Sequence, residues 1–121
     1  MGESRTVPEH QIWFTKLSNA INGPYDPITL PVVSEMTDYE GEMVAVIGQR
    51  CKHVSRERAH EVVFGYAVGN DVSVRDWQKR TSQWTLGKSF DTHAPFGPCL
   101  TTADAVGDPH DLNLRCWVNG E

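Results

Sequence analysis

The clearest hydrophobic pattern in the chain is a pair of apolar runs near its middle. Met43-Val-Ala-Val-Ile47 has the β-branched content of a strand core, and Val62-Val-Phe-Gly-Tyr-Ala-Val68 reads as a second strand passing through Tyr66 and Val68. Between them lies the best helix candidate, Ser55 to Val63. Ser55 is its expected N-cap, and Ala59, Val62 and Val63 form an apolar face at i, i+3 and i+4. On the N-terminal side, residues 1–10 are polar and read as an irregular tail, while Ile12-Trp-Phe-Thr-Lys-Leu17 has the aromatic and β-branched content of a strand. The Gly-Pro and Asp-Pro steps of Asn22 to Pro27 break the chain, and Pro31 limits Ile28 to Val33 to an edge strand.

Beyond the second apolar run the pattern becomes shorter and more punctuated. Ser73 to Arg80 reads as a short helix capped by Ser73, and Gly87 to Pro98 as a loop carrying Lys88, Asp91 and His93. Leu112 to Val118 alternates, with Leu112, Leu114, Cys116 and Val118 on one face of an expected strand. Asn119-Gly120 is the strongest short hairpin-turn signal and normally joins two strands. The chain is therefore expected to be part of a longer one, the alternative being that Asn-Gly ends a frayed terminus. No internal repeat or low-complexity tract interrupts this order.

Composition narrows the class. A length of 121 residues suits one domain, and 39% hydrophobic with 22% charged residues suits a globular one. No segment has the run of roughly 18 apolar residues that a membrane-spanning helix needs, so no membrane is expected as a partner. The net charge of −5, with no basic stripe, argues against nucleic acid as well. Cys51, Cys99 and Cys116 form no C-x-x-C pair, which favours a reducing, intracellular setting over a disulfide or zinc framework. No secretory or targeting segment is present in the sequence, and the match of Met1 to Thr6 to a loose myristoylation pattern is read as chance.

Three carboxylates carry the candidate chemistry. Glu40 and Glu42 lie two apart at the start of the first apolar run, so on a strand their side chains share a face about 7 Å apart. Asp71 follows the second run and can close the cluster. Hard oxygen ligands favour Mg²⁺, Mn²⁺ or Ca²⁺ over Zn²⁺. On spacing alone, a solvent-facing strand with polar residues at alternate positions is the preferred reading of Glu40 and Glu42.

The order of Asp38-Tyr-Glu-Gly-Glu42, Asn70-Asp-Val-Ser-Val-Arg-Asp-Trp-Gln78 and Gly87-Lys-Ser-Phe-Asp-Thr92 resembles the fumarylacetoacetate hydrolase family. Phe14-Thr-Lys16, Gly23-Pro-Tyr-Asp26, Gln83-Trp84, Ala94-Pro-Phe-Gly-Pro98, Asp108-Pro109 and Val118-Asn-Gly-Glu121 extend the likeness from about Phe14 to the end. The resemblance implies a partial β-roll, mixed and mainly β with one or two short helices, over residues 11–121. It further implies a divalent cation, Mg²⁺ first with Mn²⁺ or Ca²⁺ as alternatives, held by Glu40, Glu42 and Asp71. Lys88 falls on the family's active-site lysine, and Arg75 and Gln78 fall on positions that contact substrate in some members. An exposed surface lysine is the alternative for Lys88, and a solvated pair with Asp76 or Glu61 is the alternative for Arg75. No role is expected for the five histidines.

The implied activity is hydrolysis of carbon–carbon bonds in small β-dicarbonyl or acylpyruvate-like acids, or a related decarboxylation or isomerisation. A small keto acid would be the partner, in a mitochondrial or cytoplasmic homodimer. Two parts of the family's machinery have no counterpart in this sequence: an upstream lid with a histidine and an acidic residue, and downstream strands that complete the pocket. The sequence as written is accordingly expected to be an incomplete enzyme. The alternative is an inactive product that at most associates with full-length subunits.

Overall fold

The computed structural model describes residues 8–121, a mainly β arrangement of short strands and short helices. The expected tail falls largely outside these residues, as does the Met1 to Thr6 pattern. Two strands dominate: β3 (Gly41–Ile47) and β4 (Val63–Asn70), paired antiparallel from Gly41 opposite Asn70 to Ile47 opposite Val63. Both apolar runs thus form strands where the pattern puts them. β7 (Thr101–Thr102) joins the free edge of β4. Around this sheet lie two pairs of two-residue strands: β1 (Ile21–Asn22) runs parallel to β6 (Ala94–Pro95), and β2 (Thr37–Asp38) runs antiparallel to β5 (Ser73–Val74).

Among the described residues, three four-residue α-helices flank these strands: α1 (Arg75–Gln78), α2 (Thr85–Lys88) and α3 (Ala103–Val106). The helix expected from Ser73 begins two residues later. Ser73 and Val74 are taken up by pairing with β2, and the Ser73 hydroxyl donates to the carbonyl of Asp71 instead of capping. Lys88 likewise ends a helix and is not part of a loop. The Ser55 helix is a 3₁₀ segment, Arg56–Val62, with no buried residue, so its expected apolar face has no core to drive α-helical packing.

Neither Ile12 to Leu17 nor Ile28 to Val33 is a strand, nor is Leu112 to Val118, because among the described residues none of them finds a ladder partner. The Asn119-Gly120 turn does form. Both residues have positive φ, and Val118 and Glu121 exchange backbone hydrogen bonds of 2.9 and 3.1 Å across it.

Alternation along β4 decides what the core contains. Gly65, Ala67 and Gly69 are buried on one face, and the next position on that face is Asp71. The buried apolar residues are few and small: Ala20, Ala67, Val72 and Val74. Beside them lie Asp71, Ser73, Gln78, Lys88 and His93, so the deepest part of the molecule is also its most polar. Such a centre requires partners for every charge.

Candidate metal centre

The site forms where the β3–β4 ladder runs out. The Asp71 N–H donates to the Glu40 carbonyl at 2.9 Å, extending the antiparallel pairing one step beyond Gly41 and Asn70. The side-chain amide oxygen of Asn70 accepts the Glu40 N–H at 3.0 Å and fixes the same corner. Glu40 and Asp71 therefore face each other across the two strands, and Glu42 follows Glu40 on the same face. One carboxylate oxygen from each of the three residues lies within 4.8 Å of the other two. Oxygens on opposite sides of a Mg²⁺ or Ca²⁺ ion are about 4–5 Å apart, so this spacing fits a hard divalent cation.

Lys88 reaches the cluster from α2. It is 1% exposed, and its ammonium donates to Glu40 Oε2 at 2.8 Å and to Asp71 Oδ2 at 2.7 Å, which rules out a surface lysine. Close helix packing brings it there. A Cβ on Gly87 would lie 2.3 Å from the Gln78 backbone nitrogen, so only glycine lets α2 approach α1 this closely.

Arg75, the first residue of α1, pairs with neither Asp76 nor Glu61. Its Nε donates to Asp38 Oδ2 at 2.8 Å, and its Nη1 donates to Glu40 Oε1 and, at 3.1 Å, to Gln78 Oε1. Asp76 instead accepts from the Ser34 hydroxyl, and Glu61 accepts from Arg58. Arg75 thus orients Glu40, and buried Gln78 supports Arg75. Together with Phe14, Met36, Trp84 and Lys88 they line a cavity of about 520 Å³.

Charge divides the three carboxylates. Burial alone would raise the Glu40 carboxyl, but hydrogen bonds from Lys88 and Arg75 outweigh it and hold the group below its ordinary value. Glu42 goes the other way, raised first by desolvation and then by the negative charges of Asp71 and Glu40. No hydrogen bond or ion pair among the described residues reaches its side chain. Asp38, Glu40, Glu42 and Asp71 face Lys16, Arg75 and Lys88, which leaves one negative charge uncompensated. Such a donor set could hold a hard divalent cation.

Two participants were not singled out as site residues from the sequence. Lys16 donates to Asp71 Oδ1 at 2.5 Å and to the Val72 carbonyl at 2.9 Å, while Asp38 holds Arg75. The Phe14-Thr-Lys16 and Asp38-Tyr-Glu40 stretches carried the signal as parts of the resemblance. His93 is fully buried, with Nε2 against the Thr29 carbonyl at 3.0 Å and Nδ1 without a partner among the described residues.

The site sets three converging carboxylates, two of them bridged by buried Lys88, in a mainly β domain. The chain belongs to the fumarylacetoacetate hydrolase family: the family model described as "Fumarylacetoacetate (FAA) hydrolase C-terminal" matches residues 1–121. It is 49% identical over 117 residues to the mitochondrial oxaloacetate tautomerase fahd2 of Xenopus laevis, covering 95% of this chain and 37% of that protein. The chain thus spans about 37% of the length of that curated relative.

Solved structures agree on the fold. A 5-carboxymethyl-2-hydroxymuconate delta-isomerase from Mycobacterium smegmatis superposes with a TM-score of 0.75 at 43% identity, over 83% of this chain and 40% of that one. A fumarylacetoacetate hydrolase from Exiguobacterium antarcticum also gives a TM-score of 0.75, at 45% identity, over 79% of this chain and 35% of the other.

Proposed function

We propose that Glu40, Glu42 and Asp71 hold a divalent cation, Mg²⁺ first, in an enzyme that interconverts the keto and enol forms of oxaloacetate. The observation that carries this reading is the convergence of three carboxylate oxygens within 4.8 Å, with Glu42 left without a cationic partner among the described residues. The named tautomerase and delta-isomerase relatives favour a proton shift over the carbon–carbon hydrolysis that leads the sequence-based expectation. Both reactions pass through an enolate, so the same residues serve either. The sequence-based alternative, an inactive product, gains no support from a site in which Glu40 and Asp71 keep their lysine and arginine partners.

In tautomerisation a C–H bond beside the keto group breaks and an O–H bond forms on the former carbonyl oxygen, with no atom gained or lost. A cation held by Glu40, Glu42 and Asp71 would supply a Lewis acid for oxygens of the keto acid. Lys88 holds Glu40 and Asp71 in place with two N–H donors. Its third remains for an oxygen that becomes anionic as the C–H bond breaks. Arg75 and Gln78 shape the cavity wall beside Glu40, with Arg75 acting on substrate chiefly through that carboxylate.

A mitochondrial setting follows the relative's name, and a homodimer follows the family resemblance. The test is the decay of enol-oxaloacetate absorbance with the protein at its natural length, with Mg²⁺ and after chelation. Metal-dependent acceleration that Lys88→Met removes is the expected result. An unchanged rate after chelation would exclude the metal-centred reaction.

A further inference from the structure

We infer that Lys16 is a positioning residue for the metal centre, a tether that holds the Asp71 carboxylate in its cation-facing orientation. This rests on the reading of Glu40, Glu42 and Asp71 as cation ligands. Lys16 lies 55 residues before Asp71 in sequence, yet its ammonium bridges the Asp71 side chain at 2.5 Å and the Val72 carbonyl at 2.9 Å. Because one of those acceptors is backbone, Lys16 ties the carboxylate to the main chain of the next residue. Lys88 takes the other carboxylate oxygen at 2.7 Å. The carboxylate is gripped from both sides and cannot rotate without breaking one of these bonds.

The root of Lys16 is itself fixed to the segment that follows Lys88. The Leu17 N–H donates to the Ser89 hydroxyl at 3.1 Å, and the Asn19 side chain donates to the Ser89 carbonyl at 2.8 Å and to Asp91 at 2.7 Å. Ala20, three residues on from Leu17, is fully buried. The two lysines are therefore cross-braced, one residue from each end of the Leu17–Ser89 hydrogen bond. This explains why an irregular segment with no ladder partner is nonetheless held in place.

Charge and positioning make opposite demands on this residue. A positive charge beside a cation site repels the cation, so removing Lys16 would tighten cation binding if charge alone mattered. Removing a tether that orients a ligand instead weakens binding, typically about 10- to 100-fold. The sign of the change separates the two.

The experiment is a calorimetric titration of Mn²⁺ into the metal-free protein at its natural length, comparing wild type, Lys16→Met and Lys16→Arg, with thermal melts of each metal-free form. Lys16→Met is expected to weaken Mn²⁺ binding at least tenfold, and Lys16→Arg, which keeps a donor long enough to bridge, to stay within about threefold of wild type. A double-mutant cycle of Lys16→Met with Asp71→Asn on the metal-free melts should show coupling. Should Lys16→Met not fold, Lys16→Gln takes its place with the same reading. Unchanged or tighter Mn²⁺ binding would overturn the tether, even if the melting temperature falls. A wild type that binds no Mn²⁺ would instead remove the cation site itself.

Discussion

The ammonium of Lys88 stands 2.8 Å from Glu40 and 2.7 Å from Asp71, bridging the ends of two antiparallel strands from a helix that belongs to neither. Removing one partner of a buried ion pair leaves the other charges uncompensated, at a cost of about 3–5 kcal/mol. Lys88→Met should therefore lower unfolding free energy by roughly that amount, read from a urea titration of the metal-free protein. It should also slow oxaloacetate tautomerisation by about 100-fold or more.

Gly87 makes that bridge possible. The Gly87→Ala methyl would lie 2.3 Å from the Gln78 nitrogen, a contact that only movement of α2 away from α1 relieves. Overpacking of this kind costs about 1–3 kcal/mol. The expected outcome is a lower melting temperature together with a slower reaction, since the shift carries Lys88 with it. A variant that keeps wild-type stability and rate would show that the helices do not need this contact distance.

Arg75 should behave as a clamp. Lysine keeps the charge but cannot bond Asp38, Glu40 and Gln78 together as the guanidinium does. Arg75→Lys is predicted to weaken Mn²⁺ binding by about tenfold through a loosened Glu40, measured by electron paramagnetic resonance of free Mn²⁺. Tyr39→Phe, on an exposed neighbour, should leave the affinity unchanged.

His93 sets a direction for stability against pH. It is 0% exposed; burial lowers its pKa despite the Thr29 carbonyl, and among the described residues no acceptor faces Nδ1 to take the N–H that protonation would create. Below about pH 6.5 the unfolded chain binds a proton that the folded chain refuses, so the unfolded state binds more protons and stability falls as pH falls. Urea midpoints measured from pH 7.5 to 5.5 should decline, and His93→Gln should flatten that decline.

The parts of the molecule legible in the sequence are those whose pattern is self-contained. Met43 to Ile47 and Val62 to Val68 announce β3 and β4 because β-branched apolar content is carried within each run, and Asn119-Gly120 announces its turn because positive φ is a local demand. Ile12 to Leu17 and Leu112 to Val118 misled for the converse reason. Strand propensity says nothing of whether a partner lies alongside, and the first of these is held by Ser89 and Asp71 without any ladder. Glu40, Glu42, Asp71 and Lys88 could be gathered from ordered motifs, and the structure brings all four together. Lys16 and Asp38 could not be assigned, since an ion pair over such sequence separation leaves no spacing to read.

The central claim is that the carboxylate trio holds a divalent cation, and Mn²⁺ titration calorimetry on Glu42→Gln and Asp71→Asn tests it most directly. Each variant removes one ligand charge, and the predicted result is binding weakened by at least tenfold in both, with the metal-free fold retained in Glu42→Gln because that side chain is exposed and unpaired. Affinity equal to wild type in both would contradict it.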